Sequence, residues 1–430
     1  MVKIAFKTLG CRVNLYETDA LASRFKEGGY EIIGPESGAD AVVVNTCTVT
    51  NQSDQKCRQA IHQIRRKNPN AIIAITGCMV NNYKEELLHS GIADYVIDNE
   101  RKSAIFDIID NHFKQGRSDP EGYDRDLFSY RPAFDTFHTR SLIKVQDGCN
   151  NFCSYCIIPM VRGRSTSRPA ADIYHNIQEV VSHGFKEVVL TGVNMGRYQY
   201  DNTSFEKLVE NILAIEGDFR VRISSIEPDQ FSDHFLELFQ HEKLAPHMHI
   251  CLQSGSENTL KRMHRFYTAE QFAQICNKIK SFRPDFNLTT DVIVGFPGET
   301  DAEFEESSQF VKAIGFSHVH TFKYSVRTGT VAAQMPNQIP ERVKTERSAI
   351  MRKISLENKT AYFQSMLGHV QRLLVERIDA SGSAKGYGEN YIPLQVTGEG
   401  LKRNTFINIK LGDIGNIGLE DKMYMNAIII

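Results

Sequence analysis

No apolar run in this chain is longer than a strand. The longest, such as Ala71 to Ile75 and Asp291 to Phe296, fall well short of the roughly 20 residues that cross a bilayer. Met1-Val2-Lys3-Ile4 begins a strand directly, without a signal-peptide pattern, so the chain is expected in the cytoplasm with no membrane partner. Charge of one sign is also lacking. Fifty Lys and Arg stand against 52 Asp and Glu, a net charge of -2, so any contact with RNA must rest on local basic patches. There is no low-complexity tract and no solenoid repeat. At 430 residues the chain can bury two or three cores without disulfides. Its nine cysteines, an odd number, are then expected as metal ligands, catalytic groups or small buried residues.

Residues 1–115 alternate short β-branched strands (Lys3 to Thr8, Ala41 to Asn45, Ala71 to Thr76) with polar-faced helices (Leu15 to Glu27, Asp54 to Lys67, Lys84 to Ser90). This pattern predicts a small parallel α/β domain with its functional loops at the carboxyl ends of the strands. Residues 116–138, rich in Asp, Gly, Pro and Arg, suit a linker. From 139 to 366, strand-like runs recur at Leu142 to Val145, Glu187 to Thr191, Arg220 to Ile226, His247 to Leu252, Asn287 to Val294 and His318 to Tyr324. Six βα units in series predict a partial (β/α)6 barrel, followed by a helix over Glu341 to Asn358. Residues 367–430, with alternating apolar positions, Gly-rich turns and Pro393, predict an all-β barrel of about five strands.

The cysteines of chemical interest follow strands. Cys149, Cys153 and Cys156 form C-x3-C-x2-C in the loop after the first barrel strand. Three soft thiolates this close can hold three corners of a cubic iron–sulphur cluster and leave one iron open. Zinc and inert thiols are the rivals, but structural zinc takes four ligands as two paired knuckles, and no second C-x2-C or H-x3–5-H is present. Cys11, Cys47 and Cys78 each follow a strand of the first domain and should fall at one sheet edge. They could bind a second cluster; singly, each could as well be a buried small hydrophobe. Two basic patches stand out: Lys56, Arg58, Arg65, Arg66 and Lys67 on one helix, and Arg162, Arg164 and Arg168 after the cysteine triplet. The first could equally be a solvated helix face.

C-x3-C-x2-C with Tyr155 before its last cysteine, after the first strand of a βα barrel, resembles the radical S-adenosylmethionine (SAM) superfamily. Gly10-Cys11-Arg12-Val13-Asn14, Asn45-Thr46-Cys47 and Thr76-Gly77-Cys78, with later segments such as Ser224 to Pro228, His249 to Ser256, Lys261 to Met263 through Arg265 to Tyr267, and Asp291 through Thr300, resemble the methylthiotransferase family along essentially the whole chain. The resemblance implies two [4Fe-4S] clusters, SAM, a TRAM-like C-terminal barrel that helps hold RNA, and Tyr155 packed near adenine. Gly192, Gly255 and Gly295 follow strands where a cofactor could approach the backbone. Thr191, Glu227 and Gln253 could hydrogen-bond the methionyl ammonium or ribose. Alternatively, Thr191 and Gln253 complete turns, whereas Glu227 needs a partner if buried. Cys251 departs from the family habit of a small or proline residue, and with Cys57 and Cys276 is expected to be structural; Met248 and Met263 suit core packing.

In such enzymes a 5′-deoxyadenosyl radical takes hydrogen from C2 of a tRNA adenine beside the anticodon, the auxiliary cluster supplies sulphur, and a second SAM methylates it. The partners implied are the tRNA anticodon loop, met as a splayed-out base, and an electron donor such as a flavodoxin or ferredoxin. Arg162, Arg164 and Arg168 are expected near phosphates, and the protein is expected as a monomer. Thr8 to Thr18 and Gly386 to Ile392 look most like the N6-threonylcarbamoyladenosine branch. Alternatives are isopentenyladenosine tRNA, an aspartate of a ribosomal protein, an enzyme using only the methyl or the sulphur half-reaction, and a noncatalytic iron–sulphur protein that binds RNA or senses redox state.

Overall fold

The structure, a computed structural model, describes residues 1–36, 38–134 and 139–430. The last positions of the expected linker, 135–138, therefore lie outside the described residues. In the first domain β1 (Lys3–Thr8), β2 (Glu31–Ile33), β3 (Ala41–Thr46), β4 (Ile72–Gly77) and β5 (Tyr95–Ile97) form one parallel sheet in the order β2-β1-β3-β4-β5. Helices α1 (Arg12–Glu27), α2 (Asn51–Lys67), α3 (Cys78–His89) and α4 (Ile105–Gln115) cover its two faces, each with its own apolar core. This is a doubly wound order whose direction of winding reverses between β1 and β3, the place where such sheets open a crevice. The edge strands β2 and β5 are three residues long, too short for a sequence period to show.

All three helices expected in the first domain begin earlier than the sequence pattern suggests, α2 at Asn51 rather than Asp54, and two of them start without a cap. α1 starts at Arg12 and α3 at Cys78, and neither has an acid in its first turn or a side chain capping its N-terminus. Those first turns lack the usual Ser, Thr or Asp start signal. α2 does carry it: the Thr50 hydroxyl accepts from the Ser53 backbone N–H.

The central domain has six parallel strands in chain order, and the third is interrupted. Arg140–Lys144, Glu187–Thr191 and Arg220–Ile223 form one sheet segment; Ser225–Ile226, His247–Ile250, Asn287–Val294 and His318–Lys323 form the next. The expected strand Arg220 to Ile226 is thus broken at Ser224, and a parallel bridge from Val221 to Leu244 carries the wall across the break. The helix after the last strand is longer than expected, Glu341–Ser365. It leads into a closed barrel of five strands, Val370–Ile378, Ser383–Tyr387, Pro393–Thr397, Phe406–Gly415 and Tyr424–Ile429, with its own core. No helix among the described residues is long and apolar enough to cross a membrane.

The segment expected as a free linker is packed. Tyr130 is buried against Tyr16 with ring centroids 5.7 Å apart, and the Leu127 carbonyl accepts from Lys144 Nζ at 2.9 Å. Lys144 belongs to a fully buried ionic hub that joins the first two domains. Glu17 on α1 accepts from Lys102 at 2.6 Å and from Lys144 at 2.8 Å, with Arg162 at 3.3 Å. Asp147 accepts from Lys144 at 2.5 Å and Arg162 at 2.9 Å, and Arg162 Nη2 donates to Asn14 Oδ1 at 2.6 Å. The surrounding cations hold both carboxyls below their ordinary range although burial pulls the other way.

Charges removed from water are tolerable only while paired. Glu17→Ala would leave three buried cations with one carboxylate, and is expected to cost about 3–5 kcal/mol, read as a lower thermal unfolding midpoint. An unchanged midpoint would show that the hub does not hold the domains together. Because both carboxyls are depressed, this stabilisation is complete above their unfolded values near pH 4 and is lost as pH falls through the folded ones.

Candidate functional site

Cys11, Cys47 and Cys78 meet at the carboxyl edge of the first sheet. Cys11 is the N-cap of α1, yet its side chain caps nothing, so the thiol is free for another partner. Gly10 adopts φ +118°, and a Cβ there would lie 2.9 Å from Asn14 Nδ2 and 3.0 Å from Cys47 Cβ. Only glycine lets the Cys11 loop close on Cys47. Gly77, at φ +101°, does the same for Cys78: a Cβ would lie 2.3 Å from the Thr46 carbonyl oxygen. Asn14 Nδ2 ties the loops by donating to Leu9 O at 2.8 Å and Thr46 O at 3.0 Å. Burial, with Cys78 and Cys11 adding, pushes the Cys47 thiol up to about 11. Cys57 is engaged elsewhere, its Sγ donating to Cys47 O at 3.3 Å, which fits the expected structural role.

The second triplet lies in the loop after Asp147. Gly148, at φ +68°, passes so close to the Arg164 carbonyl that a Cβ would fall 2.0 Å from its oxygen. Cys149 Sγ accepts from Asn194 Nδ2 at 3.5 Å and from the Asn151 N–H at 3.4 Å; Cys153 Sγ accepts from Arg265 Nη1 at 3.1 Å. Burial pushes the Cys156 thiol up to about 12, with Cys153 adding. Cys78 packs against Ile157 and Val161, which follow Cys156, so the two sets of thiols flank one small apolar cluster.

The donor sets can be tested for what they would hold. Among the described residues, the set of three potential ligands with atoms within 4.8 Å of one another is His249, Cys251 and Asp291. Both cysteine triplets are more open than that. Thiolates on one zinc at about 2.3 Å lie no more than about 4.6 Å apart. Neither triplet is therefore set at single-zinc spacing, and each is an all-sulphur donor set of the kind that iron–sulphur clusters use.

Around the second triplet the expected residues have distinct surroundings. Glu227 has the partner its burial requires: an ion pair with Arg265, which also reaches the Tyr155 hydroxyl at 3.4 Å. Tyr155 packs beside Phe296 and Ile293. Gln253, at φ +66°, donates through its backbone to Asp291 O and accepts from Ile293 N, so its backbone stitches two strand ends. Thr191 and Gly192 line an open cavity of about 660 Å³. Gly255 and Gly295 are less accessible than expected. A Cβ at Gly255 would lie 2.6 Å from Phe310 Cβ, and one at Gly295 would lie 2.4 Å from Lys344 Cγ. At both positions a neighbouring helix is what excludes a side chain.

The same cavity is lined by Cys11, Arg12, His247 and Tyr391, so all three domains reach it. Arg12 and His247 were not singled out in the sequence. Arg12 adjoins Cys11 in Gly10-Cys11-Arg12, whereas His247 carries no local signal.

The expected RNA patch needs correction. Arg162 is buried in the hub, and Arg168 is buried with Nη1 donating to Asn176 Oδ1 at 3.0 Å. Neither guanidinium is available to a phosphate. Arg164 is exposed and stacks on exposed Phe152, 4.5 Å from the ring centroid. On α2, Arg58, Arg65 and Lys67 pair with Glu86, Asp94 and Glu36, as on a solvated helix face.

Comparison with known proteins gives a consistent picture. Residues 3–98 match the family described as "Uncharacterized protein family UPF0004", and residues 143–311 match the "Radical SAM superfamily". The threonylcarbamoyladenosine tRNA methylthiotransferase MtaB of Bacillus subtilis is 39% identical over 96% of this chain and 94% of its own length. The protein of that name from Thermotoga maritima is 35% identical over 95% of each. A tRNA-2-methylthio-N(6)-dimethylallyladenosine synthase of Fusobacterium nucleatum is 35% identical over 87% of this chain and 88% of its own. Among solved structures, the radical S-adenosylmethionine methyltransferase TsrM of Kitasatospora setae, at 14% identity, covers 77% of each chain with a TM-score of 0.55, a likeness of fold.

Two glycines separate strain from close approach. Gly91 has φ +64° with open space around it, whereas Gly77 abuts the Thr46 backbone. Gly91→Ala is expected to cost about 1 kcal/mol and Gly77→Ala at least twice that, compared as thermal unfolding midpoints. Equal losses would show that the approach of the Cys78 and Cys47 loops is not what requires glycine.

Proposed function

From the premise that this chain belongs to the methylthiotransferase family of radical SAM enzymes and is a tRNA methylthiotransferase, we propose that it converts N6-threonylcarbamoyladenosine beside the tRNA anticodon to its 2-methylthio derivative. One observation carries the reading: a single cavity is lined both by Cys11 of the first domain and by Thr191 and Gly192 of the barrel. A base held there would lie between a sulphur-delivering side and a radical-generating side. The choice of branch is supported by relatives with the threonylcarbamoyl name at 32–39% identity over 87–97% of the chain, four of them at 35% or more. Relatives named for dimethylallyladenosine reach 34–37% over 79–91%, which keeps the isopentenyl substrate as the second reading.

The family brings a [4Fe-4S] cluster and SAM. In this proposal Cys149, Cys153 and Cys156 hold that cluster, and Cys11, Cys47 and Cys78 hold a second. When bound, these groups supply the radical that takes hydrogen from adenine C2, the sulphur and the methyl group. The protein's own residues bind, orient and shield. Arg265 keeps a positive charge against Cys153 while pairing with Glu227, so it favours the thiolate at one end and the carboxylate at the other. Tyr155 packs at the adenine side, and Thr191, Glu227, Gln253 and the backbone of Gly192 form the SAM-binding wall. Arg164, stacked on Phe152, meets the RNA backbone. A low-potential carrier of the flavodoxin or ferredoxin class supplies electrons, and the enzyme works as a monomer in the cytoplasm.

Nucleosides from the tRNA of a strain lacking the gene are expected to show no methylthio-threonylcarbamoyladenosine and a gain of its precursor, measured by mass spectrometry. Unchanged methylthio-threonylcarbamoyladenosine would overturn the proposal, and loss of the methylthio-isopentenyl nucleoside instead would select the second reading. Anaerobic iron and sulphide analysis tests the ligand sets. Alanine at Cys149, Cys153 and Cys156, or at Cys11, Cys47 and Cys78, is expected to remove about half the iron in each case. Loss of all or none contradicts two separate clusters.

A further inference from the structure

The cavity wall carries a cation that no carboxylate among the described residues pairs with directly. Arg12, half-buried at the first helical position of α1, makes no hydrogen bond or ion pair among the described residues; its contact is the face of Tyr391, 5.9 Å from the guanidinium carbon. The other basic groups on the cavity wall, which also carries Asp291 and Asp421, have partners, His320 Nδ1 meeting His318 Nε2 at 3.2 Å. His249 pairs with Asp291 at 3.2 Å and His318 with Glu420 at 2.8 Å, while Lys359 Nζ donates to Glu420 O at 2.6 Å. A guanidinium has five donors and stays charged at all working pH values, so one left unpaired beside a cavity is a site for an anion.

A second group points the same way. His247 is 2% exposed and lines the cavity, and its Nδ1 has no hydrogen-bond partner. Its ring lies 4.8 Å from that of Tyr391, so His247 and Arg12 meet the same tyrosine. Tyr391 is itself fixed. Its ring stacks on Tyr387 with centroids 4.5 Å apart, and its hydroxyl accepts from Arg140 at 3.0 Å. Burial and the nearby charges of Arg222 and Arg12 keep the His247 imidazole neutral, so it can exchange a hydrogen bond with an uncharged group.

We propose that Arg12 and His247 form the subsite that receives the threonyl end of the substrate, Arg12 binding its carboxylate and His247 its hydroxyl or ureido group. This rests on the threonylcarbamoyladenosine reading and makes Arg12 a specificity-determining residue. The chemistry discriminates by itself. A threonylcarbamoyl group offers a carboxylate, a hydroxyl and two urea N–H groups, whereas an isopentenyl group would cover Arg12 and His247 with hydrocarbon and leave both unpaired. Position agrees as well, because Arg12 adjoins Cys11, which places the carboxylate site next to the proposed source of sulphur.

The test uses the reconstituted full-length enzyme and three anticodon stem-loop RNAs that carry threonylcarbamoyladenosine, isopentenyladenosine or plain adenosine at the modified position. Wild type is expected to bind the threonylcarbamoyl RNA most tightly. Arg12→Gln is expected to weaken that RNA by about 10- to 100-fold while leaving plain-adenosine RNA and iron content unchanged, and Arg12→Lys to recover part of the loss. A wild type that prefers the threonylcarbamoyl RNA alongside an Arg12→Gln variant with the same preference overturns this inference alone. A wild type with no such preference overturns the substrate reading and the inference with it. Loss of iron in Arg12→Gln together with equal weakening toward all three RNAs would assign Arg12 to the Cys11 loop and also overturn the proposal.

Discussion

Glu17 lies within 2.6–3.3 Å of three cations that come from three separate stretches of chain, and the placement of both cysteine triplets follows from that. Lys102 precedes α4, Lys144 ends the first barrel strand, and Arg162 follows the second triplet. Glu17 itself sits on the helix that Cys11 begins. With Asp147 the hub has one positive charge in excess and virtually no access to water. An apolar interface would allow the two domains to slide; a buried array of fixed charges has one good arrangement. The excess positive charge lies beside Cys11 and Cys78.

Much of this was legible in the sequence. Strand-then-cysteine spacing identified both triplets and the sheet edge on which the first converges, because a parallel sheet puts its loops where its strands end. Series of alternating strands and helices gave the barrel, and Gly-rich turns with period-two apolar residues gave the small β-domain. Burial was harder to read. Arg162, Arg164 and Arg168 share a basic segment, yet two of them turn inward, because their partners Glu17, Asp147 and Asn176 are set by tertiary packing. Gly255 and Gly295 likewise serve helices distant in sequence. His247 is invisible for the same reason: its value lies in Arg12 and Tyr391, which are more than a hundred residues away on either side.

The two thiol sets differ in how they are tuned. Cys153 has a guanidinium within hydrogen-bond reach, whereas Cys47 has backbone and other thiols around it; burial raises both, and raises Cys156 of the second set to about 12.

Tyr391 stands with positive φ at the tip of the loop that joins two strands of the C-terminal barrel, and it reaches the N-terminal ends of the central strands at His247 and Arg222. The small barrel therefore closes one side of the cavity that Cys11, Thr191 and Gly192 also line. Residues from both ends of the chain, Arg12 beside Cys11 and Tyr391 of the barrel, thus meet at one cavity, so a change in either end reshapes the same space.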